Sequence, residues 1–305
     1  MIPSFEYGPA DKDTNAIGTR ISFRTSEDAN ALITITGSVT DANNDRARDH
    51  NLFVAGLLSG TTYNYTVRVC DSNNNCLAQT GLSFTTSNNC PLNAVSIWKA
   101  ENNALDSVDS NPGTLVGNTT YAAGKLGQAF SFDGSSDYVS IADSASLDFT
   151  SAYSISFWAY PNAGGSGMMI IKGITSVAHP FRIEYVADNE KIWTIFGASG
   201  CNAWTSGDWL LSTNNSIPIN TWTHIVLVRT DTEKRIYING VLNASEATSG
   251  GYCINNYNLT IGMASDEQFS TDYAGRIDQV DIYSRELTGP EISALYNSGD
   301  GLSCP

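Results

Sequence analysis

The stretch AGRIDQVDIYSREL, near the C-terminus, carries two carboxylates three positions apart, Asp278 and Asp281. Paired carboxylates can share acid–base work, and a single one can ligate a hard cation. Ile277, Val280, Ile282 and Tyr283 mark the stretch as a strand, and in a strand alternation decides which chemistry is open. Strict alternation puts Asp278 with Val280 and Ile282 on the expected core face. It puts Asp281 with Ile277, Gln279 and Tyr283 on the other, as a solvated or Arg-paired surface group. Two carboxylates on opposite faces cannot act as a pair. An inward Asp278 must then be satisfied by a cation or by several hydrogen-bond donors.

A second acidic group lies in ENNALDSVDSN, which offers Glu101, Asn103, Asp106 and Asp109 in one loop. Oxygen ligands of this kind suit calcium, although the spacing is not that of an EF-hand and lacks its closing Glu. A third group is aromatic. GCNAWTSGDWLLSTNNS carries Trp204 and Trp209, and GGYCINNYN carries Tyr252 and Tyr257. Flat rings beside amides and carboxylates (Asn202, Asp208, Asn255, Asn256) are what a sugar's apolar face and hydroxyls require. Trp209 also fits the start of a strand that packs inward. Trp158, Trp193 and Trp222 sit in apolar strand patterns and are expected in the core. His50, His179 and His224 are scattered, with His224 expected to be structural. No Ser–His–Asp set, phosphate loop or zinc motif is present in the sequence.

The six cysteines form an even set with no CxxC pair, which argues for disulfides in an oxidising compartment rather than for zinc or thiol redox chemistry. Cys70 and Cys76 flank the turn-rich DSNNN and would clamp a hairpin. A Cys201–Cys253 bond would join the two aromatic loops. Sequons at Asn64, Asn118, Asn214, Asn243 and Asn258 carry little weight in so Asn-rich a chain.

The elements that must position these groups are short strands. The 305 residues are 41% hydrophobic and only 15% charged, with net charge −15. That surface repels nucleic acid and anionic membranes, and no basic cluster offsets it. No apolar run is long enough to span a membrane. The opening MIPSFEYGPADKD has neither the basic nor the apolar region of a signal peptide. Length and turn signals divide the chain into residues 1–88 and 89–305.

In the first part, GLLSGTTYNYTVRV followed by GLSFTT resembles a fibronectin type III domain. The resemblance implies a small β-sandwich spacer with Tyr63 at a tyrosine corner. Ser59 stands where that family often has Pro, and Phe23 where it has Trp. In the second part five motifs occur in order: WKAENNALDSVDSN, GQAFSFDGSSDYVSI, SISFWAYP, NTWTHIVLVRTDTEKRIYINGVL and GRIDQVDIYSRELTGPEISALYNSG. Together they resemble the laminin-G-like, concanavalin A-like jelly-roll family. The resemblance implies a large antiparallel sandwich whose first and last strands are neighbours, which pairs Cys90 with Cys304. It also implies a structural calcium between the first loop and the closing strand. Asp278 and Asp106 would be ligands, with Asn103 or Glu101 as further ones. Glucanases share this fold, but their Glu-x-Asp-x-x-Glu pattern is absent from the sequence.

The expectation is therefore an all-β, non-catalytic, extracellular or cell-surface protein. It would bind a polysaccharide or glycoconjugate, supported by calcium. Its rivals are a self-assembling or protein-binding surface protein and, less favoured, a glycoside hydrolase.

Overall fold

The computed structural model describes residues 3–12, 18–35, 38–55, 62–85, 90–164, 166–174, 177–197, 208–248, 251–264 and 272–304. They form two compact units, Met1–Asn89 and Cys90–Pro305. Both are built almost wholly of antiparallel strands.

In the first unit the strand Gly18–Ile35 organises the sheet. Its first half pairs with Phe5–Lys12, its second half with Thr62–Cys70, and Ser38–Ala55 runs along both halves. Cys76–Thr85 adds to Thr62–Cys70. Ile21, Phe23, Ile33, Leu52, Val67 and Phe84 meet in one apolar cluster. Cys70 and Cys76 are bonded directly across the hairpin. Asp71 shapes the turn between them by accepting from the backbone N–H groups of Asn73 and Asn75.

The second unit is a sandwich of two antiparallel sheets. The seven-stranded sheet runs Trp209–Leu211, Lys191–Phe196, Val177–Val186, Gly167–Ile174, Leu259–Ile261, Tyr138–Ile141, Gly113–Val116. The eight-stranded sheet runs Val241–Ala247, Glu233–Ile238, Thr223–Arg229, Tyr153–Pro161, Ala274–Tyr283, Gln128–Asp133, Thr120–Ala123, with Ala94–Trp98 also paired to Ala274–Tyr283. Alternate residues of both sheets interdigitate between them, among them Phe130, Ile155, Phe157, Ile225, Ile277, Val280 and Ile282 from one and Ile141, Phe181, Ile183, Phe196 and Ile261 from the other.

Part of the outer face of the eight-stranded sheet is apolar too, because something covers it. The helix Gly289–Tyr296 and the segment to Cys304 pack Leu287, Ile292, Leu295 and Leu302 onto Ile97, Val226, Val228 and Tyr283. Thr288 and Glu291 form a capping box that starts this helix, and Asn297, in a left-handed conformation, ends it. Cys90–Cys304 closes the cover. Arg285 ties it down further, donating to Leu92 O and to both oxygens of Glu291.

Candidate functional site

The closing strand departs from strict alternation. Asp278 lies opposite Trp158, and Asp281 lies opposite Ser156, so three residues on one strand span two on its neighbour. The extra residue is accommodated at Gln279, whose φ is +49°, a β-bulge. The bulge exchanges the expected faces of Ile277 and Asp278 and leaves those of Val280, Asp281, Ile282 and Tyr283 as expected. Asp278 and Asp281 share the outer face with Ser156 and Trp158, while Ile277, Val280 and Ile282 point to the core between the sheets. Asp281 keeps its expected face, but the expectation that it is exposed is overturned, since it is 1% accessible.

Burial governs the chemistry of both acids. It pushes the Asp281 carboxyl up to about 8, against hydrogen bonds from Gln279 and Tyr283 and the charge of Lys99; Asp278 adds to the upward push. Burial likewise raises Asp278 to about 7. The N–H groups of Leu126, Lys125 and Gln279 oppose that rise, and Glu101 adds to it. Beside them Ser156 Oγ and His224 Nε2 are 2.9 Å apart, and burial lowers His224 to about 3. Neither pair is open to a substrate, since Asp278, Asp281, Ser156 and His224 are each at most 2% accessible.

Of the four expected calcium ligands, two converge. Asp278 Oδ2 accepts from Leu126 N at 2.8 Å, and Glu101 accepts from Gln128 N at 3.3 Å, so both hold the turn 124–128. Both close on glycines: a Cβ on Gly124 would sit 2.6 Å from Asp278 Oδ2, and one on Gly127 would collide with Glu101. Asp278 Oδ1 is buried and has no hydrogen-bond partner. Asp106 uses Oδ1 to accept from Ile97 and Val108 N–H, with Oδ2 buried and unpartnered. Asn103 folds its own loop, accepting from Leu105 N and donating to Glu101 O. Among the described residues, no three His, Cys, Asp or Glu side chains come together as a metal-holding group.

The expected sugar contacts separate by exposure. Trp204, Asn202 and the Cys201 half of the predicted Cys201–Cys253 bond lie outside the described residues; Cys253 is in a disulfide. Trp209 is 48% exposed on an edge strand and Tyr257 is 40% exposed. Asp208 is buried, beside Lys234 at 3.5 Å. Tyr252 acts as a brace: its hydroxyl donates to Asp231 at 2.7 Å and its ring lies 5.0 Å from the buried Arg229 guanidinium. Lys172, fully buried, pins the Tyr257 loop from beneath. Its ammonium meets Asp143 at 2.6 Å and the carbonyls of Tyr257 and Asn255 at 3.0 and 3.3 Å.

Two tryptophans expected in the core are elsewhere. Trp222 is half-buried, 5.4 Å from Tyr160 with Arg276 over both rings. Trp193 is half-buried on the outward face of the seven-stranded sheet. Ile195 faces Trp209 and Trp193 faces Leu211, so Trp193 and Trp209 are diagonal neighbours on that face. Arg182 stacks on Trp193 at 5.0 Å and pairs with Glu184 at 2.6 Å. The alternation of KIWTIF, with Ile192 and Phe196 inward, contained the signal for Trp193.

Comparison with known proteins places this geometry. A laminin-G-type family model, described as the concanavalin A-like lectin/glucanases superfamily, matches residues 133–293. No curated protein sequence matches the chain significantly. Solved structures do. The binding domain of Paraclostridial Mosquitocidal Protein 1 is 18% identical with TM-score 0.57, covering 68% of this chain and 52% of its own. Domain 4 of AbnA, an extracellular arabinanase of Geobacillus stearothermophilus solved with arabinotriose, is 22% identical with TM-score 0.51, covering 66% and 97%. The botulinum neurotoxin serotype D ligand-binding domain, solved with N-acetylneuraminic acid, is 16% identical with TM-score 0.55, covering 68% and 51%. The chain thus spans about half the length of the toxin domains it matches.

Proposed function

Because the chain belongs to the concanavalin A-like lectin/glucanases superfamily, we propose that its C-terminal unit is a non-catalytic, lectin-like carbohydrate-binding domain of an extracellular protein. The observation that carries this reading is the outward diagonal pair of Trp209, 48% exposed, and the half-buried Trp193. Rings of this kind stack on the apolar face of a sugar, and guanidinium and carboxylate groups pair with its hydroxyls. Domain 4 of AbnA, solved with arabinotriose, and the neurotoxin ligand-binding domain, solved with N-acetylneuraminic acid, support the ligand class. The burial of the Asp278–Asp281 and Ser156–His224 pairs supports the non-catalytic reading. The Cys70–Cys76 and Cys90–Cys304 disulfides, and the lack of any described helix long and apolar enough to cross a membrane, are compatible with an extracellular site. The N-terminal unit is read as a fibronectin III-like spacer, supported by a long strand whose two halves pair with different neighbours.

The test is a glycan array probed with the wild type and with Trp209→Ala. Binding to a defined saccharide set, lost in the variant, is the expected result. Absence of glycan binding together with ordered self-association would favour the structural rival, and release of reducing sugar the hydrolase.

A calcium ion belongs to the same reading. Asp278 and Glu101 would hold it, since both carboxylates bind turn 124–128 and Oδ1 of Asp278 is buried without a hydrogen-bond partner. Such an ion would supply the charge that lets Asp278 remain ionised in its buried place, binding turn 124–128 to the closing strand. Calcium should raise the melting temperature of the wild type but not of Asp278→Asn. Equal melting with calcium and with chelator would remove the ion from the reading.

A further inference from the structure

At one rim of the sandwich, three strand ends bring titratable side chains together. Lys234 points with Ile236 and Ile238 into the space between the sheets. Asp208 directly precedes Trp209–Leu211 of the other sheet and points inward with Leu210. Glu246 pairs with Lys234 across strands and faces the same way. The side chains of Lys234 and Asp208 are each 1% exposed, with Nζ 3.5 Å from Oδ1. Glu246 Oε2 is 3.2 Å from the same Nζ and reaches solvent, at 58% exposure. Thr248 Oγ1 donates to Asp208 Oδ1 at 3.4 Å.

We propose that Lys234 and Asp208 are joined by an intramolecular amide bond, formed within the folded chain with Glu246 as proton relay. Glu246 Oε2, 3.2 Å from Nζ, is placed to take a proton from the ammonium. The freed Nζ lone pair attacks Asp208 Cγ, whose carboxyl is polarised by the Thr248 hydroxyl. The Nζ–Cγ bond forms and one Cγ–Oδ bond breaks. Two protons leave Nζ in turn, pass through Glu246 and end on the departing oxygen, which leaves as water. Glu246 is returned to its starting state, and no oxidant or reductant is needed. The fold supplies the driving force. It holds nucleophile and electrophile together at high effective concentration, and the neutral amide replaces two buried charges. The product would tie the seven-stranded sheet covalently to the eight-stranded one, next to the strand that carries Trp209. It stands independently of any ligand bound there.

The test is the intact mass of the full-length, fully reduced protein, followed by peptide mapping. The expected mass is below that of the sequence by one water, with a branched peptide joining the Asp208 and Lys234 segments. Lys234→Met should show the full sequence mass. Glu246→Gln, which keeps both partners and whose folding is checked by circular dichroism, should also retain the water. A wild type at full sequence mass would overturn the proposal. So would a water loss mapped to an Asp–Gly pair such as Asp133–Gly134, or a branch at Lys172. A Glu246→Gln protein that still loses water would overturn the relay.

Discussion

Asp278 and Asp281 project from the same face of their strand, opposite Trp158 and Ser156, because the bulge at Gln279 inserts one residue between them. The outer face of the eight-stranded sheet is consequently ordered in rows. Tyr283, Ser154 and Val228 form one; Asp281, Ser156 and Val226 the next; Asp278, Trp158 and His224 the third. All nine are buried, with Val226, Val228 and Tyr283 packed under the C-terminal cover and Asp278 held by turn 124–128. Polar groups under an apolar cover make this face sensitive to pH and to the integrity of the cover. All six tryptophans lie beyond Cys90, so their fluorescence reports the C-terminal unit alone.

His224 is held neutral. Its pKa falls from 6.5 to about 3 through burial. A depressed folded-state pKa gives stability that is complete above the unfolded value and is lost as pH falls below 6.5 toward 3. Between pH 7 and pH 4 this one group should cost the C-terminal unit about 3 kcal/mol. Urea titrations followed by tryptophan fluorescence should show that slope in the wild type and a shallower one in His224→Gln. Equal slopes would refute the assignment.

Glu291 fixes the start of the covering helix. Its hydrogen bonds from Arg285 pull its pKa from 4.5 down to about 2. The resulting stability is present above pH 4.5 and lost as pH falls toward 2. Glu291→Ala should destabilise the C-terminal unit at neutral pH by about 1–2 kcal/mol, through loss of the capping box and the Arg285 pair. A midpoint unchanged in urea would show that the cover does not depend on this cap.

Cys70–Cys76 and Cys90–Cys304 should differ in weight. Cys90–Cys304 spans a sequence separation of 214, and Cys70–Cys76 one of 6. Chain entropy alone assigns roughly 5 kcal/mol to the first and roughly 2 kcal/mol to the second. Cys90→Ser with Cys304→Ser should lower the tryptophan-reported midpoint strongly. Cys70→Ser with Cys76→Ser should leave it in place, and a comparable drop there would contradict the division into two units.

The aromatic surface should bind as a unit. Trp193→Ala and Trp209→Ala should each weaken affinity for the captured saccharide by about tenfold, the scale of one stacked ring. Tyr252→Phe should leave it within about twofold, because that hydroxyl serves Asp231 rather than a ligand. Calorimetry against the best array hit provides both measurements.

Alternating apolar residues in SISFWAYP, THIVLVR and RIDQVDIY, with Asn-Gly and Asp-Gly turns between strands, determined an antiparallel all-β chain. Thr288, Glu291 and Pro290 determined its helix, because these signals are local and act over a few residues. Cys70–Cys76 was legible for the same reason, and Cys90–Cys304 through the order of motifs. Tertiary structure alone decided which face each polar residue met. A single bulge at Gln279 exchanged the faces of Ile277 and Asp278, and alternation cannot register an inserted residue. Lys172, Lys234 and Asp208, the last expected at a sugar site, are interior because partners distant in sequence supply the oxygens and the proton contacts that a buried charge requires. Trp193 was bulky enough to read as core, yet the sheet it belongs to has two faces, and only the packing of the second sheet fixed which of them was inside.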